Sequence, residues 1–269
     1  MPLPQEGERI MVVVAHPDDE IIGAGGYLTY AIKNKAEVLV VILTNGEGNR
    51  LSALYVKNQP PQEIKNIFLK EGKIRQNESI NALKIIGVEQ SKVIFLDFPD
   101  RYLLKLFEKN WSKKLVYPYT RRDKPFYTNQ YNQDKFYQGE DLFKSLDEIF
   151  KNFKPNVVIT HNFNDYHPDH RATYLFVSSV LKNNPQLKSE VYTFLVHFNN
   201  FYKILNITST TNFHHLTNFN FYSLPLDNSM IALKKSALSQ YKSQLENPYL
   251  RYIFRSSLKK DEIFIKENE

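Results

Sequence analysis

Seven histidines occur in this chain, and four of them fall in two short segments that also carry aspartates. The first segment is Ala15-His16-Pro17-Asp18-Asp19-Glu20; the second runs from His161 through Asp165-Tyr166-His167-Pro168-Asp169-His170. Imidazole nitrogen and carboxylate oxygen are the donors of a thiol-free metal site, and three such ligands with one open position define catalytic zinc. His16 and Asp19 are three apart across a tight turn, so one turn can present both to a single ion, and His170 from the other segment completes three. Asp18, His167 and Asp169 are then left without a metal role, and hydrolysis uses such groups. Bound zinc lowers the pKa of its water to ~7, a nearby carboxylate can take the proton, and a second imidazole can polarise a carbonyl or protonate a leaving group. Either segment alone is explained by turn chemistry, with Asp18 or Asp19 capping a helix. Two of them at equivalent junctions mark a site.

Both segments follow short apolar runs. Ile10–Ala15, Glu37–Thr44, Val93–Leu96, Asn156–Thr160 and Glu190–His197 read as strands, the first two buried on both faces. Helical patterns fill Ile21–Lys35, a stretch from about 61 to 86 closed by Gly87, Leu142–Phe153 before Pro155, Pro168–Lys182, and a late stretch at Met230–Leu245. Strands separated by such helices imply βαβ units and an α/β fold with a mostly parallel sheet. Ligands of these sheets bind beyond the carboxyl ends of the strands, where both segments fall. Residues 101–139 form a poorly patterned insertion rich in Tyr, Lys and Asn. It reads equally as a lid on the site and as a peripheral loop packed by its rings.

AHPDDE at 15–20 and HPDH at 167–170 resemble the paired signatures of the LmbE-like, or PIG-L, deacetylases. TNGEG at 44–48, the Arg75-x-x-Glu78 pair ahead of Ile85-Ile86-Gly87-Val88, and Phe98-Pro99-Asp100 follow in the expected order. A late helix carrying Lys234, Ala237, Tyr241, Ser243 and Gln244 is also similar, whereas residues 101–139 and about 199–228 depart. The resemblance implies a Rossmann-like three-layer fold and one LmbE-like deacetylase domain over residues 1–269, with the insertion at about 101–139. It implies hydrolysis of the acetamide of an N-acetylglucosamine-type conjugate to acetate and a free amine, with one Zn2+ held by His16, Asp19 and His170. It further implies Asp18 as general base toward water, His167 as oxyanion stabiliser and proton donor to the amine, and Asp169 as the residue that orients His167. Arg75 and Asp100 would contact the sugar or its aglycone. Sites of two histidines and one aspartate also accept other divalent ions.

The remaining candidates carry less. His161, at a strand end, reads as a neighbour of the ligands or a packing residue ahead of a fourth ligand. His197 ends the next strand on the same rim and is open to a substrate contact; His214 and His215 read as surface. Gly23, Gly25 and Gly26 do not form G-x-G-x-x-G, and carboxylates in the preceding turn would repel a pyrophosphate, so the glycines are read as allowing close helix–strand packing. G-x-S-x-G is absent, which removes a serine esterase of the α/β-hydrolase type.

With no cysteine, the chain has no disulfide, thiolate ligand or thiol nucleophile. Its 42% hydrophobic and 24% charged content is that of a soluble globular protein. No apolar run approaches the ~18–20 residues of a transmembrane helix, and the N-terminus lacks a signal peptide, so a cytoplasmic location is expected. The net charge of +6 comes from scattered lysines, which argues against nucleic acid as a partner. The expected partner is instead a small amino-sugar conjugate with an anionic group, met by Arg75. A homo-oligomer is compatible with all of this. The competing readings are a metal-bound carbohydrate-binding or scaffold domain without turnover, and a hydrolase of another acylamide. The presence of Asp18 favours an enzyme.

Overall fold

The computed structural model describes residues 1–48, 60–197 and 220–267. The apolar runs form parallel strands β1 (Arg9–Val14), β2 (Glu37–Thr44), β3 (Val93–Phe98), β4 (Val157–His161) and β5 (Glu190–Phe194). Two further strands, β6 (Asn220–Pro225) and β7 (Asp261–Lys266), add antiparallel, giving the order β3-β2-β1-β4-β5-β7-β6. The helices are α1 (Asp19–Lys33), α2 (Pro61–Ile85), α3 (Leu103–Glu108), α4 (Gly139–Phe153), α5 (Pro168–Asn183), α6 (Asn228–Leu238), α7 (Lys242–Leu245) and α8 (Pro248–Ser257).

Side chains alternate across β1 and divide the core into two layers. Ile10, Val12 and Val14 pack with Ile21, Ala24 and Leu28 of α1 and with Ile253 and Phe254 of α8. Met11 and Val13 pack with Leu142 and Leu146 of α4 and Phe176 of α5 on the other face. Full burial contributes about 1.5–3 kcal/mol per such side chain, which is why β1 can be apolar on both sides. β1 pairs with β2 on one edge and β4 on the other. The chain therefore reverses its direction of travel across the sheet between β1 and β4, and a crevice opens at their carboxyl ends.

Three expectations shift. The late helix is not continuous over Met230–Leu245 but breaks at 239–241, because Tyr241 (φ −79, ψ 61) turns inward to bond Glu20 and closes the helix with tight i,i+3 bonds. The fifth strand stops at Phe194, since Val196 and His197 give their N–H groups to Asp165 rather than to a neighbouring strand. The insertion is not a lid. Tyr117 and Tyr137 are buried, Asn129 and Asn132 donate to the carbonyls of Phe95 and Leu96 along edge strand β3, and only Arg101 of residues 101–139 lines the cleft at the carboxyl ends of β1 and β4.

The glycines of α1 do permit close packing. A Cβ on Gly23 would lie 2.1 Å from the Phe194 ring, and one on Gly26 would lie 2.5 Å from Leu226. Beside Gly26 a buried ion pair grips the helix. Lys234 Nζ donates to Glu262 Oε1 at 2.6 Å and to Ile22 O at 2.9 Å, while Glu262 accepts from Gly26 N and Tyr27 N. Removing one partner of a buried pair strands the other charge. Lys234→Met is therefore expected to lower stability by about 3–5 kcal/mol in denaturant melts; a loss under about 1 kcal/mol would show that the pair does not anchor α1.

Candidate metal and catalytic site

The first segment is a turn between β1 and α1. Asp18 holds φ +115, a conformation that usually costs an L-residue about 1–3 kcal/mol and persists only where surroundings enforce it. The enforcement is visible. Asp18 N donates to Glu20 Oε2 at 2.9 Å, and Glu20 in turn accepts from Tyr241 OH at 2.6 Å and from Ser79 Oγ. Arg75 Nη2 donates to Asp18 Oδ2 at 3.1 Å and to Pro17 O at 2.6 Å, and its Nη1 donates to Gly46 O at 2.7 Å. Asp18 stands at the N-cap of α1 but makes no side-chain cap bond, so helix capping does not account for its carboxylate.

The second segment is pinned by Asp165. Its Oδ2 accepts from Val196 N and His197 N at 2.7 and 3.0 Å, and its Oδ1 accepts from His167 N at 2.9 Å. His167 is the N-cap of α5, its Nδ1 accepting from Asp169 N at 3.2 Å.

These turns bring three donor atoms to one point. His16 Nδ1 is 3.1 Å from Asp19 Oδ2, His170 Nε2 is 3.3 Å from Asp19 Oδ2, and His170 Nε2 is 3.3 Å from His16 Nδ1. Donors ~2.0–2.1 Å from a tetrahedral ion lie ~3.3–3.4 Å apart, so the triangle fits one zinc-sized ion. The far ring nitrogens face carboxylates. His16 Nε2 lies 3.1 Å from Asp100 Oδ1 and 3.3 Å from Asp169 Oδ2, and His170 Nδ1 lies 3.1 Å from Asp165 Oδ1. A hydrogen bond such as that of His16 Nε2 with Asp169 fixes the tautomer that leaves the inner nitrogen's lone pair free for a metal, whereas His170 Nδ1 lies near Asp165 without a hydrogen bond. His161 stacks on His170 with centroids 3.8 Å apart, and its Nε2, although 3.3 Å from Asp19, accepts from Ala15 N at 3.1 Å. That bond occupies the lone pair a fourth ligand would use.

The charges follow from this crowding. Against the effect of burial, Asp100, Asp169 and Asp19 raise the His16 pKa well above its usual value, and Asp19 and Asp165 raise His170 to about 9. Burial pushes Asp18 up to about 8; Arg75 opposes the rise and Asp19 adds to it. Burial and the charge on His170 push His167 down to about 2. His167 is thus a neutral imidazole whose Nδ1 accepts from backbone, which places its proton on Nε2 as a donor. His16, Asp18, Asp19, Asp100, Asp165 and His167 line a cleft of about 1110 Å³ that His197 also lines, with its Nδ1 3.0 Å from Tyr249 OH.

Three side chains have partners in the structure that the sequence did not indicate. The Asp169 carboxylate faces His16 and accepts from Arg101 N at 2.5 Å and Leu103 N at 3.1 Å, so only its backbone orients His167. Arg75 is buried, lines the cleft and is bonded to Asp18 and two carbonyls; it does not pair with Glu78, which accepts from Ser243 N and Oγ. Asp100 spans His16 and Gly48 N. Sequence reasoning gave no role to Glu20 or Asp165, although both lie inside the two segments. Their acidic type was the available signal, but their partners Tyr241, Ser79 and Val196 come from distant parts of the chain. His214 and His215 lie outside the described residues.

A profile of the PIG-L family, described as GlcNAc-PI de-N-acetylase, matches residues 11–181. The 1D-myo-inositol 2-acetamido-2-deoxy-alpha-D-glucopyranoside deacetylase of Corynebacterium diphtheriae is 27% identical over 180 residues, covering 66% of this chain and 53% of that protein. The chain spans about half the length of the curated relatives it matches. Among solved structures, the N,N'-diacetylchitobiose deacetylase of Pyrococcus horikoshii superposes with TM-score 0.59 at 17% identity, covering 97% of this chain and 84% of that one. The 4-carboxy-2-hydroxymuconate hydratase of Pseudomonas putida gives 0.57 at 18%, covering 93% and 82%. At these identities the superpositions establish the shared fold, and a fold shared by a deacetylase and a hydratase leaves the chemistry to the site.

Because His16 and His170 hold protons tightly, an entering ion must displace them. Zinc affinity of the chelator-treated protein is expected to fall as pH drops below about 9, by up to ~100-fold per pH unit while two protons are released. Competition titrations with a zinc indicator between pH 6 and 8 measure this; a pH-independent affinity would mean that neither imidazole is a ligand.

Proposed function

The chain belongs to the PIG-L, GlcNAc-PI de-N-acetylase, family, and on that premise we propose that it is a zinc-dependent deacetylase of an N-acetylglucosamine-type conjugate. The observation that carries this reading is the triangle of His16 Nδ1, Asp19 Oδ2 and His170 Nε2, with Asp18 and His167 beside it. In this reading His16, Asp19 and His170 hold the ion. A bound divalent ion there supplies Lewis acidity and makes water more acidic; zinc is the default for two histidines and a carboxylate.

The chain's own residues do the rest. Asp18 Oδ accepts a proton from the attacking water, its pKa brought near neutrality by burial and its carboxylate neighbours. The water oxygen bonds to the acetamide carbonyl carbon, and His167 Nε2–H donates to the carbonyl oxygen as negative charge develops there. The C–N bond then breaks, a proton passes to the amine nitrogen, and acetate and the free amino sugar result. Arg75 keeps Asp18 ionisable and aimed, and Asp100, Asp165 and Asp169 keep the two ligand imidazoles in register. The cleft has room for a sugar and an aglycone together. No helix among the described residues is long and apolar enough to cross a membrane, and the reading is of one deacetylase domain working on a small conjugate in the cytoplasm.

A scaffold without turnover would have no use for a strained Asp18 held by Glu20 and Arg75. Asp18→Asn should keep its metal and lose ~10²–10⁴-fold in kcat for acetate release from N-acetylglucosamine conjugates. His167→Ala should lose ~10²–10³-fold in kcat, again with metal retained. Elemental analysis of each variant separates chemistry from metal loss, and an Asp18→Asn protein that works at the wild-type rate would place the base elsewhere.

A further inference from the structure

The loop after β2, TNGEG at 44–48, carries a buried acid that the cleft does not use. Glu47 is 5% exposed and is not among the residues that line the cleft. Its Oε1 accepts from Asp100 N at a long 3.4 Å, and its Oε2 has no hydrogen-bond partner among the described residues. Glu47 lines instead a chamber of about 10 Å³, walled also by Asn45, Phe68, Gly72, Asp97 and Thr120. Thr120 is 2% exposed, and its hydroxyl is a second atom without a partner. The buried hydroxyl of Tyr117 is a third; it reaches the same loop, 3.2 Å from where a Cβ on Gly48 would stand. The other acids nearby are satisfied. Asp97 accepts from Asn45 Nδ2, Phe126 N and Tyr127 N, and Asp100 accepts from Gly48 N and faces His16 Nε2.

A carboxylate oxygen taken from water with neither donor nor cation is unfavourable. Buried polar atoms without partners therefore mark an ion or a water held between them. A chamber of this size takes one water-sized sphere. The unpartnered atoms are all oxygens, the donors of hard cations, with no imidazole of the kind zinc takes. One negative charge, that of Glu47, is left without a counterpart. Burial and the neighbouring charges of Asp100 and Asp97 push its pKa up to about 8, so the carboxylate gains from any cation beside it. The groups of three acids or imidazoles close enough to share a multivalent ion all contain His16 or His170 among the described residues, and none contains Glu47. We propose that the chamber is a site for one monovalent cation, sodium or potassium, bound by Glu47 Oε2 and Thr120 Oγ1 with the Tyr117 hydroxyl close by. The ion braces the loop whose Gly46 O holds Arg75 and whose Gly48 N holds Asp100, and so supports the cleft from behind. This inference does not depend on the reaction the cleft performs.

The test follows Tm of the zinc-loaded protein in tetramethylammonium chloride as sodium chloride or potassium chloride replaces it at constant ionic strength. The cation that fits should raise Tm by about 4–10 °C at ~100 times its Kd, and the salt that does so identifies the ion. Thr120→Val, which keeps the shape and removes the oxygen, should abolish the rise, and so should Glu47→Gln, which removes the charge. Thr120→Ser, which keeps the hydroxyl, should retain it. A Tm that responds to neither salt overturns the site and leaves the chamber to a water. A rise that survives in either Thr120→Val or Glu47→Gln overturns it as well, because the ion then lies elsewhere.

Discussion

Five buried carboxylates, those of Asp18, Asp19, Asp100, Asp165 and Asp169, crowd together with the buried guanidinium of Arg75 bonded to one of them. Removing that much negative charge from water is prohibitive unless it is paired or holds a metal. Much of the fold answers this constraint. The four inner strands of the parallel sheet end at this rim, and α1 and α5 begin there, with their positive dipole ends against Asp19 and Asp169. Backbone N–H groups from His16, Gly48, Arg101, Leu103, Val196 and His197 are spent on the same carboxylates. The carboxylates hold His16 and His170 protonated, and a metal bound there would replace those protons.

Behind the first ring of groups stands a second. Glu20, Tyr241 and Ser79 hold the backbone of Asp18 in its unfavourable conformation, while Lys234 and Glu262 grip the next turns of the same helix. The carboxy-terminal elements α6 and β7, and Tyr241 at the start of α7, thus support the Asp18 turn and α1. A cavity-lining carboxylate that is strained, buried and supported on several sides, as Asp18 is, is pre-organised for the base role proposed for it.

The approach of His16, Asp19 and His170 was legible because they cluster in two short segments at strand ends, and the parallel sheet was legible from β-branched runs spaced by helical periods. What escaped was carried by single polar residues whose partners lie far away in sequence. Glu262 falls on the buried face of β7 beside Phe264, which masks the apolar alternation that marks a strand. Tyr241 continues the apolar period of α6, so nothing local marks the break that its hydroxyl causes. Arg75 is an arginine near a site, and its type alone does not say which neighbours it bonds; Asp18, Pro17 and Gly46 are brought to it only by the fold. Asp169 lies two residues from His167, yet α5 turns its side chain toward His16.

The central claim is that one ion sits between His16 Nδ1, Asp19 Oδ2 and His170 Nε2. Zinc-edge X-ray absorption of the protein loaded with one equivalent of zinc, together with an anomalous-difference map from its crystals, tests this directly. The account predicts two imidazole nitrogens and one carboxylate oxygen at ~2.0–2.1 Å, with the anomalous peak on the Nδ1 side of His16. An ion on the Nε2 side, between Asp100 and Asp169, or one ligated by His161, would contradict it.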